Sequence, residues 1–306
     1  MADEQKDPGW RAAVSTPLDV EPFHPLSSAV GLEIAAASMC GAERDHNTDH
    51  YLAFRIGRVQ ETLVTSLAAG DLPPRFAEYA YALFVADGLG TQAGAARASR
   101  VALSALANLT IRHGKWNVRV DPDSAVSIAA QGDFFFRAVN DAVVRASGEN
   151  PHLMDMAASV TALYIAENDL FFTHLGHTRA YLFRGGMLVP LTADHTLSRR
   201  RRGSAGPSGI QGARPDRAHV VTEAVGGRRS APTPDIEHVT LTPGDRLLLC
   251  TNGLTDVVSD GRIADVLALH RRPRDECQRL IDLARAAGHP DDVTVMLADY
   301  RLRRED

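Results

Sequence analysis

Between residues 158 and 192 four apolar runs follow one another almost without pause: ASVTALYIA, DLFFTHLG, RAYLFR and MLVPLT. They meet at Glu-Asn-Asp, Gly-His-Thr and Gly-Gly, and they are rich in the β-branched and aromatic residues that strands favour. Links this short cannot carry a crossover, so successive strands must run antiparallel. The centre of the chain is therefore expected to be a meander of antiparallel strands.

The flanks extend this frame. VGLEIAAASMCG (30–41) reads as a strand, and after a polar stretch AYALFVADGLG (80–90) reads as another, stopping at Asp87-Gly88. Glycine there permits a sharp exit from the strand. Ala95, Ala98, Ala102, Ala105, Leu106 and Leu109 recur at spacings of three and four, which predicts a helix over about 93–112. Asp121, Pro122, Asp123 and Ser124 then start a second helix that runs to about Ala146, with Ile128, Phe135, Val139 and Val143 on its apolar face. HVTLTPGDRLLLCTNG (238–253) supplies two strands joined by Pro-Gly-Asp, a helix follows near 275–287, and VTVMLADY (293–300) closes the chain. Strands, two long helices, more strands, then helix and strand indicate an α+β sandwich, with two sheets packed together and helices outside. The expected organisation is a loose leader over 1–28 and a single domain over 29–303. A glycine-, proline- and arginine-rich flap at about 198–235 interrupts that domain and includes Arg199 to Arg202.

Bulk properties narrow the function. A formal charge of -5 over 306 residues gives no general attraction to nucleic acid or to an anionic membrane. The first residues lack a basic start followed by an apolar stretch, and no run approaches the roughly 18 apolar residues that span a bilayer. A cytoplasmic protein is expected. Cys40, Cys250 and Cys277 are too few and too scattered for a disulfide framework or a zinc site, and all three read as small core side chains.

Chemistry enters at the strand ends. Asp49 in GAERDHNTDHY, Asp87 in FVADGLG, Asn252 in LLLCTNGLTD and Asp291 before VTVML each lie at the end of an apolar run. Taken singly, each reads as a turn-starting residue. Taken together, oxygen donors without His or Cys make a hard-cation site suited to magnesium or manganese.

The order of these segments resembles the sequential motifs of the metal-dependent type 2C (PPM) protein phosphatases, over about residues 30–300. Arg44, Asn47 and Asp49 resemble that family's Arg-x-x-Asn-Glu-Asp segment, and ADGLG (86–90) its Asp-Gly motif. Residues 170–197 resemble its Gly-Asp-Ser-Arg hairpin, and HVVTEAVGG (219–227) the end of its flap. LTPGDRLLLCTNGLTD resembles its Ser-Asp-Gly segment, and PDDVTV (290–295) its closing Asp-Asn motif.

The resemblance implies a four-layer sandwich of two antiparallel β-sheets flanked by α-helices, with two Mn2+ or Mg2+ ions in a cleft between the sheets. Carried over by position, Asp87 would bridge the ions and the Gly88 carbonyl would bind one of them. Asp291 and Asn252 would complete the other shell, Asp49 would bind an ion or hold its waters, and Arg44 would clamp the substrate phosphate. The implied reaction is hydrolysis of phosphoserine or phosphothreonine, the substrate being a phosphorylated protein tied to a Ser/Thr kinase or its target. Three positions depart from the pattern. Asn252 stands where the family has an aspartate, His177 stands for the aspartate of Gly-Asp-Ser-Arg, and Thr48 stands for the acid before Asp49. An amide brings no charge to a hard cation, and histidine does not suit a third such ion. A binding module that recognises phosphoproteins without turnover is therefore the second expectation.

Overall fold

Alternation along a single strand defines the layers. In Arg75–Leu89, Tyr81, Leu83 and Val85 enter one buried cluster, while Ala82, Phe84 and Ala86 enter another. A strand turns successive side chains to opposite faces, so this strand must be covered on both. Its near-continuous apolar run is the signature of such a double burial.

The computed structural model describes residues 26–68, 71–72, 75–113, 120, 122–197, 220–227, 233–288 and 290–302. Eleven named strands and six named helices lie among them. The strands are β1 (Val30–Met39), β2 (His50–Glu61), β3 (Arg75–Leu89), β4 (Ala157–Ala166), β5 (Asp169–Leu175), β6 (Arg179–Arg184), β7 (Met187–Pro190), β8 (Val225–Gly226), β9 (Asp235–Thr240), β10 (Arg246–Cys250) and β11 (Val293–Leu302). The helices are α1 (Leu26–Ala29), α2 (Gln92–His113), α3 (Pro122–Gly148), α4 (Asn252–Thr255), α5 (Asp260–Leu267) and α6 (Pro273–Ala286), with a 3-10 turn at Pro151–Leu153.

Two antiparallel sheets result. One has the order β1-β11-β10-β6-β7 and the other β2-β3-β4-β5-β9, with β8 pairing β4. Between them lies a core that includes Leu83, Leu163, Phe172, Leu182, Leu247 and Met296. Outside the β3 sheet, Leu103, Leu106, Phe136, Val139 and Val143 of α2 and α3 seal its second face. Outside the β10 sheet, Ile263, Leu267, Cys277, Leu280 and Ile281 of α5 and α6 do the same. The four layers are helix, sheet, sheet, helix, as the resemblance implied. Arg246 of β10 ties the last layer down through Asp299 at 2.7 Å, Glu276 at 2.5 Å and the Leu267 carbonyl at 2.7 Å.

The expected meander is corrected at its middle. β4 pairs β5 and β6 pairs β7, but β5 and β6 lie in different sheets. The chain crosses between sheets through Gly176-His177-Thr178, and again through residues 241–245 between β9 and β10. Three residues suffice for a hairpin or a crossing, and the choice falls to whichever face each strand must cover. The polar stretch after residue 41 also holds a strand not expected there, β2, which pairs β3 along its whole length as an edge. Of the cysteines, Cys250 and Cys277 are buried as expected, but Cys40 is exposed at the end of β1. The leader up to residue 25 and Arg199–Arg202 of the flap lie outside the described residues, as does most of the flap itself.

Candidate metal and phosphate site

Pairing register brings the strand-end acids to one end of the sandwich. Asp87 continues the row Tyr81, Leu83, Val85, and so lies on the β3 face turned toward the other sheet. Asp49 immediately precedes β2, whose first residue, His50, pairs with Ala86. Asp291 and Asp292 immediately precede β11, where Val293 pairs with Met39 at the end of β1. Thr251 and Asn252 leave the end of β10. One sheet thus contributes Asp49 and Asp87, and the other contributes Thr251, Asn252, Asp291 and Asp292. Arg44 sits on the loop that passes from one sheet to the other.

The contacts are specific. Asp49 accepts a hydrogen bond from the Thr251 hydroxyl at 2.8 Å, and Thr251 Oγ1 in turn accepts from the Thr294 amide at 2.9 Å. The Asp49 amide donates to Asn47 Oδ1 at 2.8 Å. The other Asp49 oxygen, Oδ1, is buried with no hydrogen-bond partner. Asp87 and Asn252 are differently placed. Asp87 is buried, and His177 Nδ1 stands 3.3 Å from its Oδ2. The same His177 nitrogen lies 3.2 Å from Ser159 Oγ, and Ser159 is the ladder partner of Asp87. Asn252 is half-buried at the start of α4 and its amide donates to Asp256 Oδ2 at 3.0 Å.

Arg44 and Asp291 form a 2.5 Å ion pair, both partly open to solvent. Gly88, beside Ala158 in the ladder, is buried under the first turn of α2. A Cβ there would come 2.2 Å from the Ala95 carbonyl oxygen, so only glycine lets the helix approach so closely.

Electrostatics follow from this crowding. Burial pushes the Asp49 carboxyl up to about 7, with the hydroxyl bonds from Thr251 and Thr294 opposing it and Asp292 adding to it. Burial also raises Asp87 well above the usual carboxylate range, reinforced by Asp49 and Asp291 and opposed by Arg44. Asp49 and Asp291 thus push Asp87 up as like charges sharing one site do, with Arg44 only partly offsetting them.

Among the described residues, no three His, Cys, Asp or Glu side chains are gathered tightly enough to form a metal cage as they stand. Arg44 holds Asp291, and His177 holds Asp87. The donor set nevertheless fits a hard cation, because it is made of oxygens, it is short of positive charge, and it leaves Asp49 Oδ1 orphaned.

Four groups at this site escaped the sequence reading. Thr251 bonds Asp49, Thr294 fixes Thr251, Ser159 meets His177, and Asp292 is 2% exposed whereas its neighbour Asp291 faces solvent. Only Asp292 left a signal, as the second acid of a pair where one was needed.

A sandwich of this kind, with acids from both sheets converging beside an arginine at one end, defines the class of PPM-type phosphatase domains. The family model for stage II sporulation protein E (SpoIIE) matches residues 77–301. The serine/threonine protein phosphatase PstP of Mycobacterium tuberculosis is 33% identical over 219 residues, which is 71% of this chain and 40% of that protein. This chain therefore spans well under half the length of that relative. Protein phosphatase PhpP of Streptococcus pneumoniae is 24% identical over 87% of this chain and 96% of its own length. Among solved structures, the catalytic domain of PstP in complex with two manganese ions matches with a TM-score of 0.67 at 30% identity, covering 89% of this chain and 99% of that one. The chain belongs to the PPM-type serine/threonine protein phosphatase family. Among its described residues no helix is long and apolar enough to cross a membrane.

Proposed function

We propose that this protein is a metal-dependent serine/threonine phosphatase acting on a phosphorylated protein, a substrate of a Ser/Thr kinase or such a kinase itself, in the cytoplasm. The observation that carries this reading is that Asp49, Asp87, Asp291 and Arg44 lie near enough at one end of the sandwich for Asp49, Asp291 and Arg44 to act on the Asp87 charge. The catalytic unit is read as the single domain 29–303, with a flap at about 198–235.

Asp49, Asp87, the Gly88 carbonyl and Asp291 are the residues that would hold Mn2+ or Mg2+, with the Asn252 carbonyl as a neutral donor. Ions so held would acidify a water and neutralise charge on the phosphoryl oxygens and on the leaving oxygen. Thr251 keeps Asp49 turned into the cleft. Arg44 exchanges its contact with Asp291 for the substrate phosphate, a charge-assisted contact that fixes the phosphorus in position. No side-chain nucleophile is required, which agrees with the burial of Cys250 and Cys277.

The test is hydrolysis of phosphoserine and phosphothreonine peptides with Mn2+. Wild-type protein should turn over, and Asp87→Ala should reduce the rate to background. Equal rates in the two proteins would end this reading.

A second reading is supported by His177 and Arg44, which already contact Asp87 and Asp291 from within the chain, and by the uncharged Asn252. The protein would then bind phosphoproteins without turnover. That reading expects phosphopeptide binding that Arg44→Ala weakens, together with negligible hydrolysis that His177→Asp and Asn252→Asp restore.

A further inference from the structure

We propose that Asp292 is the positioning residue of the Gly41–Asp49 loop, supplying from the β11 side of a contact the acidic charge that this chain lacks at position 48. The inference rests on the phosphatase reading only in taking Arg44 as the phosphate contact.

Asp292 is 2% exposed and accepts three hydrogen bonds from that loop. Its Oδ1 takes the Gly41 amide at 2.9 Å. Its Oδ2 takes both the amide and the hydroxyl of Thr48, at 2.7 Å and 2.8 Å. The two ends of the loop are thus bound to a single carboxylate, and everything the loop carries, Arg44 and Asp49 included, is placed relative to β11. Two further contacts complete the fixation. The Thr48 carbonyl accepts from Ser99 Oγ at 2.5 Å, which ties it to α2. Gly41 lies so close to the chain before β11 that a Cβ there would come 2.3 Å from the Pro290 carbonyl oxygen.

The residue types explain why an acid is needed at 292. A carboxylate offers two acceptor oxygens, one for each end of the loop. Asparagine offers one oxygen and one NH2, so one of the loop's N–H groups would face another donor. The family pattern given above has an acid before the Asp49 position and an amide after the Asp291 position. This chain has Thr48 and Asp292. The two positions touch, so this chain carries its acid on the opposite side of the same contact. With glutamate at 48, asparagine at 292 would have a side-chain acceptor for its NH2, leaving only the residue-48 backbone amide in need of an oxygen; with threonine at 48, the hydroxyl and the amide both need one. The charge also remains within reach of Asp49 and Arg44.

The experiment compares wild type, Asp292→Asn, and the double variant Thr48→Glu with Asp292→Asn. Its readouts are hydrogen exchange at the Gly41 and Thr48 amides, and affinity for inorganic phosphate in Mn2+. Asp292→Asn should speed exchange at one or both amides by about tenfold or more. It should also weaken phosphate binding by about tenfold, raising KM more than it lowers kcat. The double variant should return phosphate affinity close to wild type, a rescue that general destabilisation would not give, while one of the two amides still exchanges fast for want of a second acceptor oxygen. Unchanged exchange in Asp292→Asn, or a double variant no better than the single one, overturns the proposal. Should Asp292→Asn not fold, Thr48→Val removes only the hydroxyl bond. It must then speed exchange at Thr48 while sparing Gly41, and unchanged exchange at Thr48 again overturns the proposal. Because exchange needs no turnover, a wild type that never hydrolyses phosphopeptide but shows this pattern removes the phosphatase reading and leaves the present one standing.

Discussion

Asp49 shows what one residue can report. Its folded carboxyl holds a proton up to about pH 7, against 3.8 for the free group, because burial disfavours the anion. A raised value means that the folded state binds a proton the unfolded chain has already released. Its contribution to stability is therefore present in full below about pH 4 and is lost as pH rises through 7. Asp87 is shifted in the same direction. In chelator, the urea midpoint should fall steadily between pH 5 and pH 8, and a flat or rising profile would refute the assigned burial. At this scale the residues of the candidate site were mostly legible in the sequence. Asp87 and Asp291 are legible because each adjoins an apolar run and matches a motif of the family, and Asp49 because it matches such a motif. Thr251 and Ser159 were not, since a threonine or serine at a strand end has many ordinary uses and only the folded register sets it against an aspartate. Asp292 was overlooked for a different reason. Sequence indicates that a pair of acids is present but not which of the two turns inward.

Among the elements, β3 and α2 carry the most consequence. β3 is buried on both faces and delivers Asp87, and α2 packs its first turn onto Gly88. Gly88→Ala would force a methyl group into the Ala95 carbonyl, and overpacking of this kind costs typically about 1–3 kcal/mol. The loss should appear in the denaturation midpoint, together with reduced Mn2+ affinity because the helix and the strand end would separate. The long helices were readable from their three- and four-residue spacing, and they begin and end within a residue or two of expectation. β2 was not readable. As an edge strand it is mostly half-buried or exposed, so His50–Glu61 carries charge and glycine where a central strand would carry apolar residues. The crossing at Gly176-His177-Thr178 was hidden because local sequence fixes how tight a link is, but not which sheet the next strand joins.

For the whole molecule, the consequence of binding is thermodynamic. A cation that binds only the folded state stabilises it by about 2.7 kcal/mol at a hundredfold excess over its Kd. Mn2+ should therefore raise the melting temperature in proportion to the logarithm of its concentration. Asp87→Ala should abolish that rise, whereas calorimetry showing equal shifts in both proteins would put the ion elsewhere. The stabilisation should be larger at pH 8 than at pH 5, since protons compete for the same oxygens. The two-sheet architecture follows from the strand order and the helix positions. The partition of strands between sheets does not, because it depends on contacts between residues far apart in the chain.

The site is assembled across the seam of the sandwich, with some of its oxygens on one slab and some on the other. Anything that grips both slabs at that seam acts as a rivet, and anything that slides one over the other draws the rivet hole out of round. Whatever binds at that seam should then be released under shear well before either slab comes apart, which would make cation affinity a sensitive gauge of alignment between the two halves.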